Sequence, residues 1–383
     1  MTRYLCCLFF IFVSLVSECQ DISIRIYTKT KPSTFVLTPQ NGSYKISCSS
    51  GDTVTVKAGE TVIISKYESK VLVKTITGLT RLADTAWVIP VNVKNTFTVR
   101  QPANSEQPKN LNGKVKVFLF CGSLMILNIT DIESYLPGAV RAEAGTRGPA
   151  EYFRTQAVIA RTYVYRHLYR HGLDGYNLCD DVHCQVYSGL ISEQPIADAC
   201  KSTSGMVLVD RDSTLIISAF HANCGGETAS SDDIWVSSEP YLTSVKDTFC
   251  TAFKPMKWER KIPVTEWKSF LGSKGIFVTD DQAIIPVTPS NPVRVHDYVI
   301  LGVPIPAADI RSYFNLKSTY FTVKKDADSL VFSGRGYGHG VGLCQDGAKA
   351  MALKGMNYTQ ITGFYYPGTF VTSIKNAHIP AMP

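Results

Sequence analysis

Residues 130–163 read TDIESYLPGAVRAEAGTRGPAEYFRTQAVIARTY, two helix signals in succession. The first opens at Thr130-x-x-Glu133, a capping-box pattern in which each side chain can satisfy a free backbone N–H. Ile132, Leu136, Val140 and Glu143 then follow at spacings of four, four and three, so they share one helical face. Three of them are apolar, which turns that face to a core and carries Glu143 with it at the helix end. A carboxyl held against apolar neighbours has its charged form disfavoured and keeps its proton nearer neutrality. The competing reading is a glutamate spent on a cap or on an ion pair with Arg147 or Arg161. The second helix follows Gly148, has Pro149 in its first turn, and is expected to run to Gly172. Phe153, Ala157, Ala160, Val164 and Leu168 form its apolar stripe.

Upstream, residues 21–27 (DISIRIY), 43–47 (SYKIS), 53–56 (TVTV) and 70–75 (KVLVKT) alternate apolar and polar side chains, with turn residues between them. Residues 102–112 read as a polar linker. Residues 114–120 and 124–129 read as a hairpin turning at Gly122-Ser123. Downstream, strands are expected at 206–209 and 215–219. Two short helices follow at 345–354 and from Asn357-x-x-Gln360, again a capping box. The expected fold class is α+β. A β-rich N-terminal region (20–111) precedes a mixed α+β domain (112–376), within which 246–331 reads as an irregular β insertion.

Met1-Thr2-Arg3 and the apolar run from Leu5 to Val16 have the form of a secretory signal, with cleavage expected before Gln20. An uncleaved membrane anchor and a lipid anchor at Cys19 are the alternatives. The chain is therefore expected in the periplasm or cell envelope. Losing residues 1–19 leaves Cys48, Cys121, Cys179, Cys184, Cys200, Cys224, Cys250 and Cys344, an even set that permits disulfides without fixing a connectivity. The net charge of +7 is spread along the chain without a Lys/Arg run, which argues against nucleic acid as partner.

Cys179-x4-Cys184, with His183 adjacent and His171 upstream, is either a disulfide or a structural zinc site. In the zinc reading His171, Cys179 and Cys184 are ligands, and the fourth is Cys200, His221 or water. The glycine-alternating stretch GRGYGHGVG (334–342) lacks the lysine and Ser/Thr of a phosphate loop, so a nucleotide site is not expected. His339 and Gln345 follow from it as groove candidates. His221, Gly225 and Gly226 lie in HANCGG (221–226), where the glycines permit close approach to a ligand. Trp235 and Tyr241 either stack on sugar rings or pack in the core. Arg154, Gln156, Arg161 and Gln185 complete the polar candidates, Arg161 either as a carboxylate binder or as an ion pair.

Residues 135–163 resemble the signature of the SpoIID/LytB family, close to YLxGVVxxEM followed by P.EALKAQAVAARTY. Residues 220–245 (FHANCGGETASSDDIWVSSEPYLTSV) and 334–368 (GRGYGHGVGLCQDGAKAMALKGMNYTQITGFYYPG) resemble the same family in the same order. The family's methionine after the glutamate is Ala144 here, and its lysine is Arg154. The resemblance implies a lytic transglycosylase acting on peptidoglycan glycan strands, including strands that an amidase has stripped of stem peptides, with Glu143 as acid/base and no cofactor required for the chemistry. A conventional two-carboxylate hydrolase would need a second acid, for which Asp232 and Asp233 are candidates. The non-enzymatic alternative is a LytB-like modifier that binds and stimulates a cell-wall amidase. Metal-dependent hydrolysis at the Cys/His cluster is a third reading.

Overall fold

The computed structural model describes residues 20–379 except 52, 103–106, 236, 255, 279–283 and 287–293. The expected signal segment, residues 1–19, lies outside the described residues. The first half of the chain is almost all strand: β1 (Asp21–Arg25), β2 (Thr34–Pro39), β3 (Ser43–Cys48), β4 (Thr53–Lys57), β5 (Val62–Tyr67), β6 (Lys70–Thr75), β7 (Thr80–Ala83), β8 (Thr85–Pro90), β9 (Thr96–Arg100), β10 (Lys109–Asn112), β11 (Lys114–Phe120) and β12 (Ser123–Asp131). Helices α1 (Ile132–Ala144) and α2 (Ala150–Arg166), the two-residue strand β13 (Leu178–Cys179) and helix α3 (Gln194–Ser202) follow. The fold class is α+β, as the sequence implied.

Two sheets organise these strands. One has the order β13-β1-β12-β11-β8-β3-β4, the other β10-β9-β2-β5-β6-β7. The first joins strands from both sides of residue 111, and one core runs through both regions, so that position does not separate two cores. The linker expected at 102–112 ends in β10, which pairs with β9 from Lys109↔Val99 to Asn112↔Thr96. β6 buries Val71, Val73 and Thr75 and shows one face outward, the alternation of a half-covered strand. β12 is buried continuously from Leu124 to Ile129's predecessor Asn128, as expected of a central strand covered on both faces. The β11–β12 hairpin turns at Cys121-Gly122, both with positive φ (47° and 72°), one residue earlier than expected. That left-handed pair suits the twist of the strands it joins.

α1 starts one residue later than its sequence signal. Thr130 stays in β12 and its hydroxyl donates to Asn112 Oδ1, while Asp131 is the cap, accepting from the Ser134 N–H at 2.9 Å. An aspartate in extended conformation caps at least as well as threonine, which frees Glu133 for another partner. α2 ends at Arg166 rather than Gly172; successive turns through residues 167–175 replace the last helical bonds. Residues 215–219 form no strand. Side chains satisfy their backbone instead: Arg166 donates to the Leu215 carbonyl, and the Ile217 N–H donates to the Tyr241 hydroxyl. The capping box at Asn357 and Gln360 is present.

A separate apolar core gathers Trp258, Trp267, Phe270, Tyr298, Phe314, Phe321 and Phe332. It lies around the three strands Lys257–Pro263, Phe321–Asp326 and Ser329–Arg335. These residues overlap the irregular stretch expected at 246–331.

Candidate active site

Glu143 occupies the last turn of α1, and the helix stops two residues later at Gly145, whose φ of 74° puts it in the left-handed region. Ile132, Leu136 and Val140 are buried beneath it, so the face read from the sequence does turn inward. The glutamate itself is half-buried. Burial raises its pKa above the ordinary 4.5, opposed by one hydrogen bond from the Val186 N–H. The negative end of the α1 dipole acts in the same direction as burial. Among the described residues, burial and the Val186 hydrogen bond are the influences that shift it.

The Val186 N–H meets Glu143 Oε1 at 2.8 Å. Gly138 explains how that segment gets so close to α1. A Cβ on Gly138 would stand 2.1 Å from the Gly189 carbonyl oxygen, so only glycine lets residues 187–189 cross the helix there. Ser188 Oγ donates to the Gly138 carbonyl at 2.9 Å, and the Tyr135 and Tyr187 rings pack with centroids 4.7 Å apart. Two side chains fix the free carbonyls at the helix end. Gln345 Nε2 donates to the Glu143 carbonyl at 3.0 Å, and the Tyr152 hydroxyl donates to that of Ala144. A groove of about 460 Å³ runs past Val186 and is lined by Lys109, Asn110, Arg141, Tyr187 and Glu193 among others.

The other sequence candidates divide. Arg161 is fully buried, holds both Glu133 oxygens at 2.8 Å, and donates to the Met206 and Cys200 carbonyls. Its guanidinium has no face left for a ligand; it pins α2 to α1. Arg154 pairs with Glu151 and Ser202 on the surface and touches nothing at Glu143. Gln156 and Gln185 are buried, each with an amide nitrogen lacking a partner among the described residues, and Gln185 Oε1 accepts from the Tyr135 hydroxyl.

His339 bonds the Phe220 carbonyl through Nε2 and the Val341 N–H through Nδ1, so its neutral tautomer braces the glycine-rich loop. Burial pushes its pKa down to about 4. His221 is buried beside it and bonds the Val341 carbonyl. His339 thus braces the loop with both nitrogens, whereas His221 Nε2 is buried without a partner among the described residues. Trp235 lies against His339, half-buried, with centroids 5.8 Å apart. Tyr241 is buried. Gly225 makes room for a close backbone approach, but to its own chain: its Cβ would meet Gly336 N at 3.0 Å. Gly226, at φ 110°, continues that turn.

His171, Cys179, His183 and Cys184 bring their ligand atoms within 4.8 Å of one another. Cys184 Sγ stands 3.4 Å from His171 Nε2 and 3.7 Å from His183 Nδ1. Tetrahedral zinc with metal–sulfur bonds of about 2.3 Å requires ligand separations of roughly 3.5–4 Å, so the donor set fits. Asp174 lies 3.5 Å from His171 Nδ1, where it orients the ring. Of the fourth ligands expected (Cys200, His221 or water), neither Cys200 nor His221 is in this group; the fourth side chain in it is His183. Both cysteines are free thiols here.

The family model "Stage II sporulation protein" (SpoIID) matches residues 121–209. Stage II sporulation protein D of Bacillus subtilis is 30% identical over 258 residues, 63% of this chain and 74% of its own length. An uncharacterised protein of Brachyspira hyodysenteriae is 25% identical over 336 residues, 85% of this chain and 91% of that one. The amidase enhancer of Bacillus subtilis is 30% identical over 290 residues, 62% of this chain but 40% of that protein. The chain belongs to the SpoIID/LytB family.

Proposed function

We propose that the chain is an exported lytic transglycosylase that cleaves the bond between N-acetylmuramic acid and N-acetylglucosamine in peptidoglycan, with Glu143 as its only acid/base. What carries this reading is a half-buried carboxyl with a pKa raised by burial, on a helix end whose carbonyl Gln345 holds. Protonated Glu143 donates to the glycosidic oxygen, and the bond to the muramic acid C1 breaks with positive charge developing there. The resulting carboxylate, steadied by the Val186 N–H, accepts the proton of the sugar's own 6-hydroxyl as that oxygen attacks C1. The product is a 1,6-anhydro sugar, Glu143 regains its proton, and no water is consumed. The strand would lie along the groove past Val186, which borders Glu143 through the Val186 backbone although Glu143 itself does not line it.

His171, Cys179, His183 and Cys184 would hold a structural zinc ion. Bound there, it supplies no chemistry to the sugar; it fixes the chain two residues before Val186.

The likeness to the amidase enhancer favours a second role, stimulation of a cell-wall amidase, on the same scaffold. Among the described residues no helix is long and apolar enough to cross a membrane. Incubating purified glycan strands with the protein and weighing the products separates the readings. Anhydro ends support the transglycosylase; reducing ends mean hydrolysis; no cleavage with amidase stimulation intact means a modifier.

A further inference from the structure

Cys224, Asp247, Cys250 and Cys344 form a second four-ligand cluster, remote from His171 in sequence, with all ligand atoms within 4.8 Å of one another. All four residues are essentially fully buried. They come from separate elements. Cys344 ends the short strand Leu343–Cys344 and caps the helix Gln345–Leu353; Cys224 lies three residues beyond the strand Phe220–His221; Asp247 caps the helix Thr248–Phe253, which contains Cys250. Two of these thiols could be linked as a disulfide, but that would leave the third, and a carboxylate, buried beside it. The carboxylate is the telling group. Among the described residues the side-chain partners of the fully buried Asp247 are the Cys224 thiol and the Tyr365 hydroxyl, with no Lys, Arg or His beside it, and a buried carboxyl needs such compensation.

The geometry points to a second structural zinc site, with Cys224, Cys250, Cys344 and Asp247 Oδ2 as its four ligands. Cys224 Sγ is 3.3 Å from Asp247 Oδ2, close to the edge of a zinc tetrahedron. The outer contacts suit ionised sulfur. Cys344 Sγ accepts from the Cys224 N–H at 3.2 Å and the Gly347 N–H at 3.4 Å, and Cys224 Sγ from the Gly226 N–H at 3.4 Å. The Tyr365 hydroxyl donates to Oδ2 at 2.7 Å, while Oδ1 is held by the Cys250 N–H at 2.9 Å, so Oδ2 is the oxygen that faces the sulfurs. Three thiolates and a carboxylate exceed the charge of one divalent ion. Those donors, with Arg294 held 2.9 Å from the Cys224 carbonyl, offset the excess. Gly347 keeps the space open, since a Cβ there would stand 2.2 Å from Oδ2. Thiolate-rich four-coordination selects zinc over magnesium or calcium. The site would tie three distant segments together immediately before Gln345, the residue that fixes the Glu143 carbonyl.

Metal analysis of the intact protein, purified without chelator, tests this. The Cys179→Ser/Cys184→Ser protein is expected to keep about one zinc per chain, with X-ray absorption showing roughly three sulfurs near 2.3 Å and one lighter ligand. Adding Cys250→Ser is expected to remove it. Should the first variant not fold, wild type itself decides: about two zincs per chain are expected, with no disulfide among these three cysteines under non-reducing mass mapping. A Cys224–Cys344 or Cys224–Cys250 disulfide, or three free thiols with no metal in the Cys179→Ser/Cys184→Ser protein, would overturn the proposal.

Discussion

The Val186 N–H donates to Glu143 Oε1 at 2.8 Å, and Val186 stands two residues after Cys184. The hydrogen bond gives Glu143 a partner for its charged form while burial favours its neutral form, and the zinc ion proposed at the His171 cluster would hold that donor in place. Those opposed effects suit a group that must give up a proton and recover it in one cycle.

Glu143→Gln keeps the oxygen that accepts from Val186 and removes the proton. The expected result is an unchanged melting temperature and circular dichroism spectrum with strand cleavage reduced by about 10²–10⁴-fold. Full activity in this variant would show that another group is the acid.

Because the pKa of Glu143 is raised by burial, the form ready to donate persists above the ordinary 4.5. Cleavage is expected to fall as pH rises through that raised value, and Glu143→Asp or Gln should abolish or move that limb. The linkage to stability has the same direction. A raised folded pKa gives stabilisation that is fully present below the unfolded pKa and is lost as pH rises through the folded one. A pH–rate profile with its alkaline limb at the value of an exposed carboxyl would contradict the burial argument.

Arg161 is fully buried against Glu133, so Arg161→Met alone leaves a half-buried carboxylate without its cation. A loss of about 3–5 kcal/mol is expected in denaturant unfolding. Arg161→Met combined with Glu133→Leu should recover much of it, because the pair's own net contribution is small. If the single variant unfolds like wild type, the pair does not hold α2 to α1.

Gly138→Ala sets two effects against each other. Alanine favours a helix by about 1 kcal/mol. Its Cβ would stand 2.1 Å from the Gly189 carbonyl oxygen, and crowding of packed backbone costs about 1–3 kcal/mol or more. The crowding should win, displacing residues 186–189 and lowering activity more than stability. Chelating zinc from the His171 cluster should act on the same segment, seen as faster amide exchange at Val186 with α1 unchanged. Activity insensitive to both changes would remove Val186 from the account.

The carboxyl at the helix end was legible because helical spacing is local: Ile132, Leu136 and Val140 fix where Glu143 faces. The α+β class followed from alternation in strands such as β6 and from the two helix signals. What spacing could not give were contacts made across the chain. Val186 acts through its backbone, which carries no residue-type signal. Arg161 was readable as a polar residue at the edge of a face, but its partner Glu133 is 28 residues away. His183 lay beside the cysteines, and only the fold turns it toward them. His339 and His221 carried the residue type of a site, yet His339 spends both ring nitrogens on backbone in the glycine-rich turn, and His221 spends Nδ1 there while its Nε2 stays buried without a partner among the described residues. Cys224 and Cys344 meet because two motifs far apart in sequence share the parallel pair Phe220↔Leu343 and His221↔Cys344, and Cys250 joins them from the helix Thr248–Phe253.

Mass spectrometry of the products from purified glycan strands tests the central claim most directly. The wild-type protein is expected to release fragments ending in 1,6-anhydro-N-acetylmuramic acid, lighter by one water than reducing ends, and Glu143→Gln is expected to release them about 10²–10⁴-fold more slowly. Reducing ends from wild type, or anhydro ends from Glu143→Gln at the wild-type rate, would contradict it.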